Sequence, residues 1–82
     1  MSYFAQEVIE PVAEKAVAML GVLPYGDQIQ VWLNQSEWEL ALESALFRAG
    51  KSGIEPPAEL VAAVRKLNPN LMGCYERGVK AA

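Results

Sequence analysis

At 82 residues and 9.0 kDa, with 52% hydrophobic residues, the chain can fill one modest core and reads as a single domain over 1–82. It has no histidine and a lone cysteine, Cys74, which excludes a Ser-His-Asp or Cys-His nucleophile, a multi-ligand Cys/His zinc site and an intramolecular disulfide. The net charge of −3 hides a split: through residue 46 seven acids face Lys15 alone, for a net −6, while from residue 47 six bases face three acids, for +3.

The first predicted element is a helix near 2–20. Phe4, Val8, Val12, Ala16 and Leu20 step by four, and Ile9, Ala13 and Val17 widen the stripe. Pro11 interrupts it, because an interior proline costs an N–H and clashes with the preceding turn. Either a short turn ends near Glu10 and the main helix begins at Pro11, or one helix kinks there. Gly21 is the expected stop. The Val22-Leu23 link leads to a short helix near 24–34, with Pro24 at its first position and Asp27 in its first turn. Tyr25, Ile29, Trp32 and Leu33 would form its buried face.

After Asn34-Gln35 comes the stretch the rest is organised around, a helix near 37–50. Ser36 and Glu39 match the S-x-x-E capping box, in which the serine takes an orphan N–H and the glutamate reaches back to the cap. At roughly 100° per residue, Trp38, Ala41, Leu42, Ala45, Leu46 and Ala49 share one face, while Leu40 and Phe47 fall nearly opposite. Two apolar stripes call for cover on both sides. Trp32 and Trp38 read as core residues near a corner between the two helices. Gly50 and Gly53 read as stop signals, with Ile54 anchoring the following loop.

Pro56-Pro57 opens a fourth helix near 57–67, with Leu60, Val61, Val64 and Leu67 inward and Arg65 and Lys66 at the negative pole of its dipole. Asn68-Pro69 reads as a cap and first position for a last helix near 70–79. Gly73 and Gly78 weaken that helix, and fraying is expected past Lys80. No run alternates with period two. The fold class is therefore all-α, a compact bundle of four to five short helices around the central one.

For chemistry the residues offer little. Glu39 and Glu43 stand one helical turn apart, a spacing that could share a proton or a metal, but the sequence supplies no histidine to complete a site and they read first as a polar strip. No Gly-rich phosphate loop is present. No enzymatic activity, cofactor or metal is expected. Tyr75-Glu76-Arg77-Gly78 echoes the end of a helix-turn-helix domain, yet sparse basic residues and a pI of 4.8 oppose binding to phosphates. The longest apolar run, Ala16 to Leu23, is far short of the ~20 residues that span a bilayer. No basic signal-peptide region precedes it, and the expected compartment is the cytoplasm.

The central stretch resembles a known group. Leu33, Glu37-Trp38, Leu40-Ala41-Leu42-Glu43, Gly53-Ile54 and the spacing of the Pro57-to-Leu67 helix are similar to small immunity proteins of bacterial polymorphic toxin systems, the MafI-like and contact-dependent growth inhibition immunity proteins. The likeness covers about Leu23 to Leu67. It implies a small helical protein without catalysis that neutralises a cognate secreted toxin domain, often a basic nuclease, by binding it. On that reading the acids of the first half are the contact set: Asp27, Glu37, Glu39 and Glu43, with Glu43 the cleanest probe. The alternatives are a module that homodimerises through the second stripe of the central helix, or a helix-turn-helix-like regulator. The oligomeric state stays open.

Overall fold

A computed structural model describes residues 6–20 and 26–82, which form an all-α bundle. The elements are α1 (Gln6–Leu20), α2 (Gly26–Asn34), α3 (Trp38–Ser52), α4 (Ala58–Leu67), a single 3-10 turn (Pro69–Leu71) and α5 (Met72–Ala81). The expected starts at Ser2 and Pro24, the Gly21 stop and the Tyr25 contact lie outside the described residues. α3 is the hub. It packs most extensively against α5, then against α1 and α2, while α4 lies against α1.

The burial pattern follows the α3 stripe. Ala41, Leu42, Ala45, Leu46 and Ala49 are fully buried, in one cluster with Ala13 and Ala16 of α1, Ile29 of α2, and Leu60 and Val64 of α4. Trp32 and Trp38 are half-buried at the margin of this cluster, as is the loop anchor Ile54. Of the two options at Pro11, the chain takes a continuous helix, with the proline inside α1 and exposed to solvent. The exposed Lys15 of α1 is ion-paired with Glu59 of α4, linking those helices across the surface.

Three local expectations are overturned. The first is the capping box. Ser36 does not cap α3: its φ is +61°, in the left-handed region, and Glu37 is the N-cap residue without a side-chain cap bond. The reason is a stronger claim from the preceding helix. The Ser36 N–H donates to the Leu33 carbonyl (3.1 Å) and the Glu37 N–H to the Trp32 carbonyl (2.8 Å), which is the Schellman closure of α2. With one tight bend serving both helices, Ser36 closes the first and cannot open the second. α3 ends through the same device, with Gly53 at φ +74°, its N–H donating to Gly50 O (3.3 Å) and that of Ile54 to Ala49 O (2.8 Å).

The second correction is Gly50, which is no stop signal. It lies inside α3, fully enclosed where that helix crosses α5 at Gly78. A Cβ on Gly50 would collide with the Tyr75 carbonyl oxygen and lie 2.8 Å from Val79 N. One on Gly78 would collide with the Phe47 carbonyl oxygen and lie 2.9 Å from Lys51 N. The two backbones thus touch with no side chain between them, the close approach that glycine alone permits. Gly78 strengthens the packing of α5 even as it lowers its intrinsic helix propensity, and α5 runs on through Ala81.

The third concerns the second stripe of α3. Leu40 remains 39% exposed, and Phe47 is half-buried at the rim of the α5 contact. The described helices cover one face of α3 fully and leave the other open to solvent. At the far end Asn68 caps the 3-10 turn that leads into α5 rather than α5 itself, its Oδ1 accepting from Asn70 N–H (2.9 Å) with Pro69 next in line, while the N-cap of α5 is Leu71.

Candidate functional site

The acids singled out on α3 do not share one surface. Glu37 is exposed at the entry to the helix, on one side of Leu40. Glu39 and Glu43 lie on the other side, close enough together that the Glu39 charge helps raise the proton affinity of Glu43. Burial is the larger cause of that rise, because a desolvated carboxylate favours its neutral form, while Arg77 opposes it. Asp27 belongs to the first turn of α2, but its side chain lies outside the described residues.

Glu43 faces a groove of about 390 Å³ between α3 and α5. Phe47 and Ser44 line it from α3, with Arg48 and Lys51 toward the helix end, and Cys74 and Arg77 from α5. Arg77 Nη2 donates to Cys74 Sγ at 3.1 Å. The thiol is buried, and its pKa lies above the usual cysteine value. Desolvation is the main cause, the Glu43 charge adds to it, and Arg77 pulls the other way. A protonated, enclosed thiol is a poor nucleophile. Among the described residues no three His, Cys, Asp or Glu side chains gather as metal ligands. Reversing Glu43 to lysine would add a fourth cation beside Arg48, Lys51 and Arg77, so Glu43 is not the clean probe of binding that its helical position implies.

A second acidic surface has a legible signal that sequence reading did not use. Glu7, Glu10 and Glu14 are spaced by three and four, which at helical pitch puts them in one column on the outer face of α1. Glu7 and Glu14 are exposed, and Glu10 is half-exposed and accepts a hydrogen bond from Gln6 Nε2 at 2.9 Å. On the same helix Val8 and Met19 are left 49% and 39% exposed, on the flank roughly 100–180° around from that column, with Lys15 between. The basic residues Arg77 and Lys80 are carried by α5, which also packs on α3 but makes little contact with α1. The charge split along the chain therefore becomes, in part, a split between two helices.

No known protein family, curated protein or solved structure matches the chain. Among the described residues no helix is long and apolar enough to cross a membrane.

Proposed function

We propose that this is a binding protein without catalysis that neutralises a cognate toxin domain, in the manner of the immunity proteins it resembles, and that its contact surface is the outer face of α1. The observation that carries this reading is the exposed single-sign column of Glu7, Glu10 and Glu14 on the outer face of α1. A single-sign column steers a basic partner and disfavours acidic ones. The acids of α3 serve such a partner less well, because Glu43 lines a groove that also holds three cations.

The experiment uses the product of the reading frame beside the gene, co-expressed with this chain and tested for co-purification and for rescue of growth. A one-to-one complex that weakens with salt is expected. Reversal of Glu7 and Glu14 to lysine should abolish both rescue and complex while the helical spectrum and melting temperature persist. Full rescue by the reversed variant would remove the α1 surface. Absence of any complex or rescue with wild type would remove the immunity reading itself.

A further inference from the structure

We infer that the uncovered face of α3 is a self-association surface, on which a second copy of this chain docks antiparallel about a two-fold axis near Ser44. The argument begins with spacing. Glu37, Leu40, Ser44, Phe47 and Lys51 follow one another at intervals of three, four, three and four, the seam pattern of helices that pack along their length. At helical pitch the five positions fall within an arc of about 80°. The seam stays accessible to solvent: Glu37 and Lys51 are exposed, Leu40 is 39% exposed, and Ser44 and Phe47 are half-buried, with Ser44, Phe47 and Lys51 flanked by α5 along the groove. The opposite face of the same helix is completely enclosed.

What selects the occupant is the order of residues along the seam. It runs acid, apolar, small, apolar, base, so that its reverse is its own complement. An antiparallel copy sets Leu40 against Phe47 of the other chain and Glu37 against Lys51 at both ends. Ser44 then meets its own symmetry mate, a small side chain where two helices approach most closely. A parallel copy would instead oppose Glu37 to Glu37 and Lys51 to Lys51. An isologous two-fold contact requires such self-complementarity, because every pairing in it occurs twice. One four-turn helix pair falls at the small end of protein interfaces, so a dissociation constant on the order of micromolar is expected. The seam is separate from the outer face of α1, and this inference does not rest on the toxin-binding proposal.

Sedimentation equilibrium of the full chain, from about 1 to several hundred micromolar, tests it. Wild type should shift from monomer to dimer across that range and should dissociate more readily at high salt. Lys51→Glu or Glu37→Lys alone turns two attractive contacts per dimer into repulsions and should weaken association about tenfold or more. The double variant Glu37→Lys/Lys51→Glu restores opposite charges at both ends and should recover wild-type association to within a few fold. Thermal unfolding of each variant keeps a folding defect from passing as a binding defect. Leu40→Asn, a neutral change at an exposed site, should also abolish the dimer if a charge reversal proves unstable. A chain that stays monomeric throughout, or a dimer indifferent to both single reversals and to Leu40→Asn, would overturn the inference. Failure of the folded double variant to recover would overturn the antiparallel arrangement.

Discussion

α1 and α5 both pack on α3, and they do so by different means. On the α1 side Ala13 and Ala16 share a cluster with Leu42, Ala45 and Ala49, where side chains hold the two backbones apart. On the α5 side Gly50 and Gly78 bring backbone against backbone, and the nearest atoms are main-chain carbonyl oxygens and nitrogens. Side-chain packing is costly to hollow out, whereas a backbone crossing is costly to fill. The largest expected effect therefore comes from the smallest addition. Gly78→Ala adds one methyl and gains about 1 kcal/mol of helix propensity, yet it must push α5 off α3. A net loss of about 3–5 kcal/mol is expected, read from the denaturant midpoint, together with early amide exchange in α5. An unchanged midpoint would mean that the crossing opens freely, and the contrast between the two sides would fail.

The matching subtraction on the other side is Leu42→Ala. Leu42 is fully buried, and losing three carbons there should cost about 3 kcal/mol, with α5 still docked. If Leu42→Ala proved more damaging than Gly78→Ala, the tight point of the molecule would be the alanine-lined cluster instead. Trp38→Ala, from a half-buried site, should fall below the Leu42 value despite the larger side chain.

Much of this architecture is legible in the sequence because it depends on local pattern. The α3 stripe, the Asn68-Pro69 cap and the Gly53 stop each follow from residues within a turn of one another. The Gly50–Gly78 crossing does not, because the two glycines lie 28 positions apart, and locally one reads as a helix stop and the other as a weak point in a helix. Ser36 failed for another reason. Its S-x-x-E match to an N-cap is real, but a capping motif reports one helix and the bend between α2 and α3 belongs to two. The candidate site was half legible: the acids were visible, while the turn of Glu43 toward Arg77 and the exposure of Val8 and Met19 depend on which faces neighbours cover. The two ends of α3 sharpen this point, since the same closure carries a glycine at one and a serine at the other. Ser36→Gly removes the left-handed penalty of a side chain at φ +61° and should stabilise the fold by about 1 kcal/mol. Ser36→Ala, which would cost a similar amount at a true N-cap, should be close to neutral. A clear loss on Ser36→Ala would restore the capping role.

The smallest effect separates the two acids of the groove side from each other. Glu43 has its pKa raised, chiefly by burial and then by Glu39, so the folded state holds its proton more tightly than the unfolded chain does. A group raised in this way contributes stability that is fully present below its unfolded value, near 4.5, and is lost as pH climbs through its folded value. Ionised Glu43 is therefore a slight liability at neutral pH, and Glu43→Gln should raise the melting point there by less than about 0.5 kcal/mol in stability terms. The variant should also lack the part of wild-type pH dependence that lies just above pH 4.5, with thermal melts from pH 4 to 7 as the measurement. Because Arg77 lowers the same pKa, Arg77→Gln should widen the wild-type window toward higher pH while leaving the Glu43→Gln variant unmoved. Identical pH profiles for wild type and Glu43→Gln would show that folding leaves the proton affinity of this carboxylate unchanged, and would remove burial as a cost of its charge.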